Sequence, residues 1–235
     1  RSMSRQPRIT GQRLIDALSR AGFRVIRAKG SHHLLRHSDG RTVVVPVHRG
    51  EVIGLAGLEG SGQRLLMDAC MGLQRISSGR LIIAGRDMSN QPYHRFREMG
   101  VAFVPAARLE EGLAPGLTLC EHFALMADHH RFFVPWEQAQ RSAEEKIREF
   151  NIVGRPEMMV EDLSGGNQQR TLLALLPDAL NVLILEHPTR GLDVESTRWI
   201  WSKLHQRRER GTAILFASTD LDELVENSDR IVVFS

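Results

Sequence analysis

The residues best suited to chemistry fall into four groups. Gly57-Leu58-Glu59-Gly60-Ser61-Gly62-Gln63-Arg64 stands between an apolar run and a helical pattern. Its glycines, Gly57, Gly60 and Gly62, let backbone N–H groups curl round phosphates, and the helix N-terminus that follows adds favourable partial charge. Loops of this kind end in Gly-Lys-Ser/Thr. Here Gln63 holds the Lys place and Arg64 the Ser/Thr place. Gln63 carries no charge, and Arg64 offers a metal no oxygen, although its guanidinium could reach a phosphate. The second group is Glu186-His187-Pro188, closing another apolar run. Glu186 can accept from a metal-bound water, and His187 can serve as a general base near neutral pH. In the third, Ser164, Gly165 and Gly166 open a helix and are followed by Asn167, Gln168 and Gln169. A hydroxyl and the free N–H groups of a helix start can meet an anion there. The fourth is His32-His33, set among Arg20, Arg24, Arg27, Lys29 and Arg36. An imidazole can act as acid or base, and the basic residues can contact phosphates without reading sequence.

Apolar runs and turn residues outline the elements that must position these groups. Residues 51–56 read as a buried parallel strand and 63–71 as a helix. Residues 80–87 read as a hairpin arm and 101–104 as a second buried strand. Helices are expected over 118–128, 136–151, 164–176 and 194–209, with strands over 181–185, 212–218 and 230–234. In the second of these helices Trp136, Ala139, Ala143, Ile147 and Phe150 make one packing stripe. The alternating order implies a mostly parallel sheet with helices on both faces. Upstream, 9–18 reads as a short helix capped by Thr10, and 23–26, 34–37 and 42–47 as three short strands.

The chain has 235 residues and a formal charge of +3, with 42% apolar and 25% charged residues. Those values are ordinary for a soluble globular protein. The charge is unevenly spread: residues 1–50 hold eleven Lys/Arg against two Asp/Glu, leaving twenty against twenty-six in the rest. A basic head on a mildly acidic body points to different partners for the two parts. Cys70 and Cys120 are the only cysteines, which excludes a disulfide framework or a cysteine-based zinc site and fits a reducing compartment. No apolar run approaches the roughly 18 residues that span a bilayer, and no signal peptide is expected. Arg1-Ser2 precedes Met3.

LSGGNQQR at 163–170 and LILEHPTRGLD at 183–193 resemble the signature and the Walker B and D-loop pair of an ABC-transporter ATPase. The resemblance extends from Gly50 to the end of the chain and is similar to the second ATPase half of a tandem sugar or nucleoside importer. It implies a P-loop α/β fold, a mostly parallel sheet, with a helical subdomain at about 115–165 in a domain over 51–235. ATP and Mg²⁺ are the implied cofactors. The implied nucleotide contacts are Gly57, Gly60, Ser61, Gly62, Gln63, Arg64, Ser164, Gly165, Gly166 and Gln168. Glu186 and His187 hold the places of the family's Walker B aspartate and catalytic glutamate. Thr219 holds the switch-histidine place, and Ala106-Ala107 stand where these importers show Glu-Asp. No aromatic lies between Phe23 and Gly57 to stack on adenine. In the family two such domains meet head to tail, each ATP lying between one loop and the other's LSGG. The intact LSGG beside an altered loop implies a domain that completes a partner's site while its own is slow or silent. Membrane permease subunits, and indirectly a substrate-binding protein, are the other implied partners. The implied location is cytoplasmic, on the inner face of the cell membrane.

Residues 10–50 read differently. Lys29-Gly30-Ser31-His32-His33-Leu34 and Val45-Pro46-Val47-His48-Arg49-Gly50 resemble a HicA-type toxin, a small α-β-β-β-α fold that cleaves mRNA. The resemblance implies His32 as its catalytic histidine, and RNA or a HicB-type antitoxin as a weak partner of residues 1–50. The family's last helix is absent and the ABC strand begins at once, so this α-β-β-β segment is incomplete. Two rivals to the transport reading stand: a competent ATPase working through Glu186 or His187, and an RNA-directed module on an ABC scaffold.

Overall fold

A computed structural model describes residues 23–29, 32–37, 49–126 and 133–234. Strands β1 (Phe23–Lys29) and β2 (His32–His37) pair antiparallel as a separate two-stranded sheet, with His32 opposite Lys29. They correspond to the first two expected strands. The expected helix at 9–18 and strand at 42–47 lie outside the described residues.

The main sheet contains β3 (Val52–Ala56), β6 (Val101–Val104), β7 (Val182–Glu186), β8 (Ala213–Ala217) and β9 (Arg230–Val233). Their order is β6-β7-β8-β3-β9, and every neighbouring pair is parallel. β4 (Ile82–Ile83) and β5 (Arg86–Asp87) form the expected hairpin arm. A parallel sheet gathers the C-terminal ends of its strands on one edge, and helix starts open there.

Period-two alternation divides the strand side chains between two cores. Val52, Leu183, Leu185, Ile214 and Phe216 face one core, closed by helices α3 (Leu119–Met126), α4 (Trp136–Glu149), α5 (Gly165–Ala174) and α6 (Val194–Glu209). Ile53, Leu55, Val182, Ile184 and Leu215 face the other, against Met67 and Cys70 of α1 (Gln63–Cys70) and Phe96 of α2 (Tyr93–Glu98). Burial on both faces is why these strands read as unbroken apolar runs. Gly54 sits mid-strand because α7 (Leu221–Asn227) comes close: a Cβ there would lie 2.4 Å from Ser228 Oγ and 2.7 Å from a Leu224 methyl.

The expected stripe on α4 needs one correction. Ala139, Ala143 and Phe150 are buried, but Trp136 is 54% exposed. It is the first residue of the helix, before the axis meets the core. Helices α2 and α7 escaped the sequence reading. α2 buries one large apolar side chain, Phe96, and α7 is a two-turn helix whose signal is Asp220, which accepts from the N–H groups of Asp222 and Glu223. Short helices of this kind lack the periodic run that marks longer ones.

Candidate functional site

The loop after β3 has the curl expected of a phosphate cradle. Gly57, Gly60 and Gly62 have φ of 149°, 84° and 113°, values that favour glycine. Ser61 N–H donates to Leu58 O at 3.0 Å, and Gln63 Nε2 donates to the same carbonyl at 3.2 Å. Gln63 therefore braces the loop from inside. A Cβ on Gly60 would meet nothing within 4 Å, so the loop's outer side is open.

Arg64, in the first turn of α1, is directed at carboxylates. Its Nη1 donates to Glu186 Oε2 at 2.8 Å, its Nη2 to Glu111 Oε2 at 3.1 Å, and its Nε to Asp68 Oδ1 at 3.0 Å. The Phe103 ring centroid lies 5.3 Å from its Cζ. Burial works against its charge, but hydrogen bonds to Glu111 and Asp68, with the charges of Glu186 and Asp68, hold its pKa above the ordinary arginine value. Glu186 thus accepts from a guanidinium in the place where the sequence suggested a metal-bound water. Asp68 and Glu111 were missed by sequence reasoning. Glu111 lies on a turn of π-helix, Arg108–Gly112, and returns a carboxylate to the region where Ala106-Ala107 had removed two. A pair of acids just after Arg108 was the available signal.

These contacts decide how far a metal fits. The guanidinium already occupies the point between Glu186 and the loop, and no hydroxyl stands at position 64 to ligate a cation. A divalent ion would have to sit against a fixed positive charge. Mg²⁺ therefore does not fit this chain's own loop as it stands.

His187 follows Glu186 in a left-handed conformation, φ 46°, fixed by its N–H donating to Ala217 O at 2.8 Å and its carbonyl accepting from Arg190. Among the described residues its imidazole has no hydrogen-bond partner, so nothing orients it as a base. Thr219 is exposed at the end of β8. His32 lies on β2, and its strand is separate from the main sheet.

The signature turn is intact. Ser164 caps α5, its Oγ accepting from Asn167 N at 3.4 Å and Asn167 Nδ2 at 3.0 Å. The hydroxyl proton remains to donate, and the first N–H groups of the helix have no helical acceptor. Ser164 is exposed, and Gly165 and Gly166 are half-buried. Gln168 corrects an expectation. It is 8% exposed, and its Nε2 donates to Val160 O and Leu163 O. Its side chain holds the turn before LSGG and does not face a ligand. Arg108, also missed, ties this turn to the rest: Nε donates to Gln169 Oε1 at 2.8 Å, and Nη2 to the Arg190 carbonyl. Asp193 caps α6 through Ser196, on both its N–H and its hydroxyl. The backbone hydrogen bond from Ser196 lowers the Asp193 pKa most.

A glycine-rich strand-loop-helix turn and an LSGG helix start, on a parallel sheet, agree with comparison to known proteins. The ABC transporter family model matches residues 41–190. The chain belongs to the ABC transporter family. A second model, for the HicA toxin of bacterial toxin-antitoxin systems, matches residues 11–55. Among curated ABC relatives, the nucleoside import ATP-binding protein NupA of Lactococcus lactis subsp. cremoris is 36% identical over 194 residues, covering 80% of this chain and 38% of NupA. The glucose import ATP-binding protein TsgD13 of Haloferax volcanii is also 36% identical, over 81% of this chain and 36% of its own. The chain spans about two fifths of the length of these relatives. Solved ABC structures share the fold. A dimeric bacterial ABC transporter cassette superposes with TM-score 0.68 at 20% identity, covering 88% of this chain and 89% of the cassette. A post-hydrolysis dimer of the same cassette bound to ADP and Pi gives 0.69 at 19% identity, over 91% of each chain.

Proposed function

We propose that this ABC chain is an ATP-binding part of an importer for a sugar or nucleoside, that its own nucleotide site is degenerate, and that its LSGG turn completes the site of a partner ATPase domain. The observation that carries this is an asymmetry within one chain. Ser164 and the glycines after it present free donors at an exposed helix start, whereas Arg64 fills the place of the metal beside the chain's own loop. The import proteins for nucleosides and glucose among its relatives support the substrate class.

In this reading ATP lies between a partner's phosphate loop and residues 164–166, and Mg²⁺ belongs to the partner's side. Ser164 donates its hydroxyl proton, and Gly165 and Gly166 their N–H groups, toward a γ-phosphate held by that partner. A cavity of about 360 Å³ beside edge strand β6, lined by Tyr93, Phe103, Pro105 and Leu172, supports contact with a permease subunit. Leu73 and Tyr93 are exposed there. Among the described residues no helix is long and apolar enough to cross a membrane, so attachment to the membrane face runs through the permease in this proposal. The domain division, 1–50 and 51–235 with a helical subdomain near 115–165, is part of the same reading.

Steady-state hydrolysis of Mg·ATP by the isolated chain tests it. Gln63, Arg64 and His187 replace the charge clamp, the metal ligand and the base. Turnover should fall far below the roughly 1–100 s⁻¹ typical of kinases. Turnover within that range would return the chain to the competent-ATPase reading, and His187→Ala would then ask whether histidine is the base.

The HicA match over residues 11–55 favours a second reading for the head alone, contact with RNA or a HicB-type antitoxin. Its eleven Lys/Arg supply the charge.

A further inference from the structure

We infer that Asn167 is the positioning residue of the signature turn: its side-chain amide, held by the turn after α4, fixes the Ser164 hydroxyl as a donor that points outward. The inference rests on reading residues 164–166 as the part of the chain that meets a partner's nucleotide.

The orientation of the amide follows from its partners. The backbone N–H of Val153 donates to Asn167 Oδ1 at 2.9 Å. The other end of the amide is therefore its NH₂ group, and Nδ2 donates to Ser164 Oγ at 3.0 Å. The Asn167 backbone N–H reaches the same oxygen at 3.4 Å. A serine hydroxyl has two acceptor sites and one proton. Both acceptor sites are taken from the helix side, so the proton is left for the open side, where Ser164 is exposed. An aliphatic neighbour in place of the amide would leave the hydroxyl free to rotate.

The anchor is itself fixed. The 151–154 turn that carries Val153 is fastened to α5 and its approach at two further points. Arg170 Nη1 donates to Asn151 O at 2.9 Å, and a Cβ on Gly154 would lie 3.1 Å from Leu163 Cδ2. Ile152, between them, is buried. Arg170 in turn lies over the Trp199 ring of α6, with 4.4 Å from Cζ to the centroid. One amide thus couples the turn after α4 to the direction of the signature donor. An aspartate at 167 separates positioning from support. Its carboxylate has the shape of the amide and still accepts from Val153 N–H, and a negative charge in the first turn of a helix is favourable. From Ser164 it can only accept, which turns the proton inward and presents oxygen lone pairs to an incoming phosphate.

The full chain, serine-labelled for NMR, and the assembled transporter are each compared as wild type, Asn167→Asp, Asn167→Ala, Ser164→Ala and Ser164→Ala/Asn167→Asp, after urea unfolding confirms folding. In the wild type the Hα–Hβ couplings of Ser164 should report one χ1 rotamer, and Asn167→Ala should average them. In the transporter Asn167→Asp should lower ATP turnover at least about tenfold, while stability stays level or rises. The double variant should lie within about twofold of Ser164→Ala, because the aspartate acts only through the hydroxyl. Averaged couplings in the wild type, full turnover in Asn167→Asp beside an impaired Ser164→Ala, or a double variant far below Ser164→Ala would overturn the inference. Full turnover in Ser164→Ala would instead count against the partner-site reading, and the Ser164 couplings would still decide the role of Asn167.

Discussion

Arg108 and Gln169 lie 61 residues apart and are joined by a hydrogen bond of 2.8 Å from Nε to Oε1. Gln169 is 1% exposed, and its Nε2 has no partner among the described residues. The same guanidinium holds the Arg190 carbonyl. One arginine thus fixes the signature helix against the loop that follows β7. Burial, and then the charge of Arg190, lower its pKa below the ordinary arginine value.

Arg108→Ala should remove the donor to the buried Gln169 Oε1 and free the Arg190 loop. A charged hydrogen bond is worth about 1.5–3 kcal/mol. Urea unfolding should show a loss of that size with an unchanged m-value, and amide exchange should quicken at the start of α5. Arg108→Lys should recover only part of it, since an ammonium does not reproduce the fork.

The cysteines give a pH signature. Burial pushes the Cys70 thiol up to about 12, whereas Cys120 is half-buried and its pKa is raised mainly by partial burial. In the native chain at pH 8, Ellman's reagent should modify Cys120 first, leaving Cys70 until the chain unfolds. For stability the sign is fixed by the unfolded thiol, which ionises first. Both states are neutral well below the unfolded thiol's pKa of about 8.5, so the contribution is constant there, and stability falls as pH rises through that value toward 12. Equal labelling of both thiols in the native state would contradict the burial of Cys70.

Legibility in the sequence followed burial and spacing. β6 and α6 fall on the expected residues because a continuous apolar run and a long helical pattern are local signals. The loop at 57–64 was readable from glycines at fixed offsets after an apolar strand, and the cap at Ser164 from the LSGG motif at a helix start. The Arg64 cluster was not. Its carboxylates come from positions 68, 111 and 186, and only tertiary packing brings them together. The inward turn of Gln168 was equally hidden, because one helical residue can face either the ligand or the preceding turn.

The basic head should bind RNA weakly, with affinity falling steeply as salt rises, since Arg and Lys contacts to phosphate release counterions. Filter binding from about 50 to 200 mM salt should show this loss, and His32→Ala should leave binding nearly unchanged. Degradation of RNA by the purified chain, abolished by His32→Ala, would instead establish the toxin-like activity.

The division of labour between the two halves of the chain's chemistry is tested most directly in an assembled transporter carrying Ser164→Ala, Gly165→Asp or Gln63→Ala. A Cβ at Gly165 would meet only Arg108 Nη1, at 3.4 Å, so the aspartate variant should fold. It should block the approach of a partner's γ-phosphate and nearly abolish turnover. Ser164→Ala should remove one charge-assisted hydrogen bond, about 1.5–3 kcal/mol, or roughly ten- to a hundredfold in rate. Gln63→Ala should change turnover little. Loss of turnover in Gln63→Ala together with full turnover in Gly165→Asp would contradict the account.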